Sequence, residues 1–148
     1  MTTSRRLCAD TLRGMRITRL FAVIAAAATV VGLAACSDGA PAVTTVSVAD
    51  APSVLDDAGL TVIDVRTPAE YSSGHLAGAI NIDVEASGFT SAVGALPKDG
   101  EYLVYCHSGN RSRSATAQMA ALGFTHVYDL DGGVAAWAAG GGALVTGA

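Results

Sequence analysis

Residues 102–114 read Y-L-V-Y-C-H-S-G-N-R-S-R-S, and this stretch decides the fold of the chain. Tyr102–Tyr105 is a β-prone apolar run that stops at Cys106. Five small or polar residues follow, His107 to Arg111, with Gly109 among them. Ser112 then opens a segment whose apolar residues Ala115, Met119 and Leu122 recur at the spacing of a helix face. A strand, a tight loop and a helix aim backbone N–H groups and the positive end of a helix dipole at one point. A thiol occupies that point. Such surroundings lower a cysteine pKa and favour the thiolate, the reactive form. Free cysteine is among the most buried residue types, but a polar loop holding Gly109 and Arg111 is a poor place to bury an inert one. Gly109 is expected at a positive φ.

Working outward, the rest of the chain alternates strands and helices. Val46–Val48 reads as a short edge strand, and Ala49–Ala58 as a helix with Pro52 in its first turn and Gly59 as its stop. Leu60–Val65 is a β-branched run suited to a strand buried on both faces. Thr67, Pro68 and Glu70 form a capping box for a short helix. Gly74–Ile82 leads into another strand, and Val84–Leu96 reads as helix and loop. After the Cys106 segment come a strand at His126–Leu130, a Gly132-Gly133 turn and a helical turn, Val134–Ala139, carrying Trp137 as core or pocket wall. This pattern predicts an α/β domain over residues 46–139, with a mostly parallel central sheet flanked by helices. Residues 140–148, rich in glycine, are expected to form a flexible tail. Sites in such sheets lie at the carboxyl ends of strands. Arg66 and Cys106 each follow a strand and can therefore reach one crevice.

The charge is uneven. The 148 residues carry a formal net charge of −4, yet Arg5, Arg6, Arg13, Arg16 and Arg19 all precede residue 20. From Cys36 onward, Arg66, Lys98, Arg111 and Arg113 stand against twelve acidic residues, leaving −8. No basic patch is left for nucleic acid. The arginines are followed by the apolar run Leu20–Ala35, too short for a comfortable membrane span and built like a signal-peptide core. It ends L-A-A-C at residues 33–36, which resembles a bacterial lipobox. That resemblance implies a signal peptide over 1–35, cleavage before Cys36, and a lipid on the Cys36 sulfur. The alternative is an uncleaved signal anchor. Both readings put the domain outside the cytoplasmic membrane, in the cell envelope, because the arginines stay inside. Met15 would serve by itself as a normal start, so residues 1–14 read as an extension. Ser37–Thr45 reads as a tether; about nine residues at ~3.3 Å each reach at most ~30 Å.

Cys8 leaves with the signal peptide and Cys36 is taken by lipid, so Cys106 is left as a lone exported thiol. An internal disulfide is then impossible, and a lone exported thiol points to chemistry. Without a resolving cysteine the chain is a poor dithiol oxidoreductase. One cysteine and three scattered histidines have no metal-ligand spacing. Asp129-Leu130-Asp131-Gly132 lacks the later ligands of a calcium loop. No metal and no cofactor are expected.

Four motifs occur in order: D-V-R-x-x-x-E-Y (Asp64 to Tyr71), G-H-L-A-G-A-I-N (Gly74 to Asn81), Cys106-His107-Ser108-Gly109-Asn110-Arg111-Ser112, and G-G-V-x-x-W (Gly132 to Trp137). Together they resemble the single-domain rhodaneses, over essentially the whole of residues 46–139. Four residues separate Cys106 from Arg111. Cysteine phosphatases, the competing reading, have five. The shorter loop makes a smaller cradle, which in the rhodanese family suits a sulfane sulfur.

The resemblance implies a sulfurtransferase that carries sulfur from thiosulfate or a persulfide to a nucleophilic acceptor as a Cys106 persulfide. His107, Ser108, Gly109, Asn110, Arg111 and Ser112 would form the binding loop. Arg111 would supply charge for an anionic donor, unless it is a solvated surface arginine. Arg66 is assigned a structural ion pair with Glu70 in preference to a direct approach to the donor. Asp64 is expected to anchor the loop through backbone N–H groups. His107 either tunes the thiol or faces solvent, and His75 reads as structural. Small sulfur donors and acceptors are the implied partners, with the membrane through Cys36 and an envelope protein as a further acceptor. A non-catalytic binding module and a sulfur carrier are the alternatives.

Overall fold

The computed structural model describes residues 42–147. The expected signal peptide, the expected start at Met15, Cys36 and the beginning of the expected tether lie outside those residues.

Ten elements follow in chain order: β1 (Val43–Val46), α1 (Ala51–Leu55), β2 (Leu60–Asp64), α2 (Pro68–Ser73), β3 (Ile80–Asn81), α3 (Phe89–Gly94), β4 (Glu101–Tyr105), α4 (Asn110–Ala121), β5 (His126–Leu130) and α5 (Gly133–Ala139). The five strands form one sheet in the order β1-β5-β4-β2-β3, and each neighbouring pair is parallel. The α/β architecture is the expected one. β4 is the middle strand, so both of its faces are covered and Tyr102 to Tyr105 are all buried. The period of two sorts its side chains. Tyr102 and Val104 join the cluster under α3 and α4, with Ile63, Phe89 and Met119. Leu103 and Tyr105 join the opposite cluster, with Val62, Leu76 and Leu130.

The capping box forms as expected. The Thr67 hydroxyl accepts from the Glu70 N–H at 3.3 Å, and Glu70 Oε2 accepts from the Thr67 N–H at 3.2 Å. The expected helix at 49–58 contracts to Ala51–Leu55, and the segment Val84–Leu96 is helical only at Phe89–Gly94.

Both ends of the domain differ from expectation. At the N-terminal side, β1 begins at Val43, inside the stretch expected as tether, and pairs with β5 from Val43↔Val127 to Val46↔Leu130. The V-T-T-V segment is half polar, so its strand character comes from an edge that β5 offers. At the C-terminal side, the expected flexible tail folds back on the domain. Val145 and His75 exchange two backbone hydrogen bonds of 2.9 Å, and the Gly147 N–H donates to the Ser72 carbonyl at 3.1 Å. The Trp137 indole N–H donates to the Ala143 carbonyl at 3.0 Å. Gly142 lies against that indole, where any Cβ would collide with the ring. Glycine here serves close approach, a use that composition does not distinguish from a loose tail.

Candidate active site

Cys106 sits at the carboxyl end of the middle strand, 1% exposed. The chain turns at Gly109 (φ 93) into α4, which begins at Asn110, two residues earlier than the periodicity indicates. That left-handed turn brings the Gly109 N–H to 3.1 Å from Cys106 Sγ. Burial opposes ionisation of the thiol. The N–H groups of Ser112 and Ser108, the Ser112 hydroxyl and the Gly109 N–H outweigh it, and the Cys106 pKa falls below the ordinary cysteine value. Ser112 is fully buried, and its hydroxyl donates to the Gly109 carbonyl at 3.1 Å, which ties the loop to the helix.

The back of the loop is clamped by α5. The N–H of Val134 donates to the Cys106 carbonyl at 2.9 Å, and the N–H of Ala135 to the His107 carbonyl at 3.0 Å. Gly133 (φ 60) lies so close beneath that a Cβ would meet the Cys106 and His107 carbonyls. The Gly132-Gly133 motif therefore supports the cysteine loop, a role not evident when it is read as a turn. The only hint in sequence was a glycine pair directly before a helix.

The ion pairs are distributed differently from expectation. Arg66 bonds to Asp64, not to Glu70: its Nη2 donates to Asp64 Oδ2 at 2.6 Å and its Nε to Oδ1 at 3.0 Å. The same Nη2 donates to the Gly74 carbonyl at 2.7 Å. Asp64 does accept a backbone N–H, that of Arg66 at 2.9 Å, but its hydrogen bonds run to Arg66 and not to the Cys106 loop. Two residues apart at a strand end, Asp64 and Arg66 pair locally, which leaves Glu70 for another partner. That partner is Arg111, whose Nη2 and Nη1 donate to Glu70 Oε1 and Oε2 at 2.7 and 2.8 Å. Glu85 adds a longer contact to Arg111 at 3.4 Å. The Arg111 hydrogen bonds hold the Glu70 pKa down at about 2, and Glu70 in turn raises that of Arg111. Arg111 is thus neither a solvated arginine nor a free charge.

Of the other loop residues, His107, Ser108 and Asn110 are exposed. His107 lines a cleft of about 410 Å³ with Arg66, Glu70, Val134, Ala138 and Leu144. His75 is buried and structural: its ring stacks on Tyr71 at 3.7 Å, and Nδ1 lies 2.9 Å from the Tyr71 carbonyl. Trp137 lines a second, neighbouring cleft with Leu55, Leu76 and Ala143, so it is pocket wall. Asp129, weighed in the sequence only as part of a calcium loop, is a buried acid. Asp129 on β5 is 3% exposed, and its Oδ1 has no hydrogen-bond partner among the described residues. Burial raises its pKa, against the pull of the Ser112 hydroxyl and the Arg113 charge.

Comparison with known proteins is consistent with this arrangement. Residues 47–140 match the family described as Rhodanese-like domain. The chain is 37% identical over 79 residues to the thiosulfate sulfurtransferase GlpE of Pseudomonas entomophila, spanning 53% of this chain and 71% of that one. It is 38% identical over 84 residues to the GlpE of Pseudomonas fluorescens, spanning 56% and 74%. Among solved structures, a rhodanese-related protein from Thermoplasma volcanium superposes with a TM-score of 0.61 at 33% identity, covering 68% of this chain and 96% of that one. A rhodanese-like domain from Anabaena sp. gives 0.62 at 30% identity, covering 69% and 78%.

Proposed function

This chain belongs to the rhodanese-like domain family, and on that premise we propose that it is a sulfurtransferase whose Cys106 carries a sulfane sulfur as a persulfide. One observation carries the reading: a lone described thiol lies in a cradle of N–H groups, with that of Gly109 at 3.1 Å from Sγ. The cradle stabilises a negative sulfur, first as thiolate and then as persulfide anion. In the first half-reaction the Cys106 thiolate attacks the outer sulfur of the donor. A new S–S bond forms, the donor's own S–S bond breaks, and its electron pair leaves on the donor remnant. With thiosulfate that remnant is sulfite. In the second half-reaction a nucleophile takes the outer sulfur, and its former bonding pair returns to Cys106 as thiolate. Cyanide in that role leaves as thiocyanate. Thiosulfate sulfurtransferases among the relatives support the assignment.

The test is intact mass of the full chain, purified in mild detergent, after exposure to thiosulfate and separately to a thiol persulfide. The expected result is a gain of one sulfur atom, reversed by cyanide and absent in Cys106→Ser. A folded protein with a free thiol that gains no sulfur from either donor overturns the mechanism and leaves a binding module.

We also propose that the chain is exported and held in the cell envelope by a lipid on Cys36. The arginines, the apolar run and L-A-A-C at 33–36 support this. Fractionation of cells carrying Cys36→Ser tests it: the protein should leave the membrane fraction as an unlipidated species. Unchanged mass and membrane association would overturn the lipid. Placed there, the persulfide is within reach of small sulfur compounds and of an envelope protein as acceptor.

A further inference from the structure

The charges around the loop are already engaged. Glu70 grips Arg111 with both carboxylate oxygens, and Glu85 stands at 3.4 Å on the same guanidinium. Arg66 is held by Asp64 and the Gly74 carbonyl and is almost fully buried. Arg113 is exposed and faces Asp131 at 3.8 Å. Three guanidiniums around the loop therefore meet four carboxylates before any thiolate is counted. The side-chain charges there sum to a net negative, and neither Arg66 nor Arg111 is left unpaired for a small dianion.

The opposite side of the cleft is apolar. Val134, Ala135 and Ala138 come from α5, and Leu144 comes from the C-terminal segment. Leu144 lies beyond residue 140, where the family match ends. It is held in place from both sides, by Trp137 Nε1 on the Ala143 carbonyl and by the two Val145–His75 hydrogen bonds. Its side chain packs against Gly74, at 3.5 Å from where a Cβ would stand. It remains 38% exposed, on the face of the cleft shared with His107, the neighbour of Cys106.

We propose that the segment 143–145 is the specificity wall of this site, with Leu144 as its contact residue, and that the site takes organic persulfides with a compact apolar body in preference to thiosulfate. The proposal rests on the Cys106 reading above. For such a donor, R–S–SH, Cys106 Sγ bonds to the terminal sulfur and the R–S bond to that sulfur breaks. The electron pair leaves on R–S⁻, and the proton stays on the transferred sulfur as Cys106–S–SH. An apolar R group gains from burial against Leu144, whereas thiosulfate gains nothing from it.

The test follows sulfur loading of the full chain by intact mass in single turnover, against the concentration of tert-butyl persulfide and of thiosulfate. The wild type is expected to load at lower concentrations of the alkyl persulfide. Leu144→Ala should raise the half-saturating alkyl persulfide roughly tenfold at an unchanged maximal rate, and leave thiosulfate loading as it was. Glu70→Gln keeps a capping oxygen but releases the Arg111 charge, and should improve thiosulfate loading several-fold. A wild type that prefers thiosulfate, or a Leu144→Ala effect equal for both donors, overturns the wall while leaving the Cys106 mechanism standing. No loading from either donor overturns that mechanism as well.

Discussion

Glu70 and Arg111, 41 residues apart in the chain, meet in a two-point ion pair with contacts of 2.7 and 2.8 Å. Glu70 belongs to the first turn of α2 and Arg111 to the first turn of α4. The pair therefore joins the loop after β2 to the loop after β4, on neighbouring strands of one parallel sheet. It ties the Cys106 loop to α2 and engages the Arg111 guanidinium with both carboxylate oxygens.

Because Arg111 depresses the Glu70 pKa to about 2, the pair contributes stability that is present above the unfolded value near 4.5 and is lost as pH falls toward 2. Both side chains are partly exposed, so solvent screening limits the contribution to about 1 kcal/mol. Glu70→Gln should lower the melting temperature at pH 7 and cost progressively less on acidification. Thermal melts of both proteins from pH 7 to pH 3 check this; a constant gap would show that the ion pair is not its source.

Ser112 is expected to set the thiolate fraction. Its N–H and hydroxyl are among the groups that lower the Cys106 pKa against burial. Ser112→Ala removes the hydroxyl and should move the acid limb of the loading rate to higher pH. A profile of single-turnover loading against pH measures the shift. An unmoved limb would assign the lowering to the backbone alone.

Asp129 is buried with an oxygen that has no hydrogen-bond partner among the described residues, and burial raises its pKa. A raised carboxyl pKa works in the opposite sense to Glu70. Stability is whole below the unfolded value and declines as pH rises through the folded one. Asp129→Asn should therefore raise the melting temperature relative to wild type, and increasingly so as pH rises above the ordinary carboxylate range. A variant that is less stable there would mean the carboxylate has a partner that matters.

Gly133 combines a positive φ of 60 with contact to the Cys106 carbonyl. Gly133→Ala should cost on the order of 1–3 kcal/mol for the backbone conformation alone, and more if the loop has to shift. Sulfur loading should fall with stability, since α5 would be pushed off the loop it clamps. Denaturant titration alongside single-turnover loading reads both; a neutral substitution would show that α5 is not packed tightly beneath Cys106.

Much of the architecture was legible because it is local. The β-branched run at 60–65 and the apolar run at 102–105 mark strands that are buried on both faces. Thr67, Pro68 and Glu70 specify a helix start through bonds within four residues. Gly109 declares a left-handed turn beside a cysteine. These signals rest on chain connectivity, so residue order alone carries them.

What only the tertiary structure decided was partnership at long range. Asp64, Arg66, Glu70 and Arg111 all stand out in the sequence, yet which carboxylate holds which arginine depends on how β2 and β4 align in register. The glycines after residue 139 read as a flexible tail, and only the indole of Trp137 and the backbone of His75 turn them into a packed segment. Likewise V-T-T-V becomes β1 only because β5 presents an edge. In each case the residue type is permissive, and the energy that chooses among its conformations comes from a surface elsewhere in the chain.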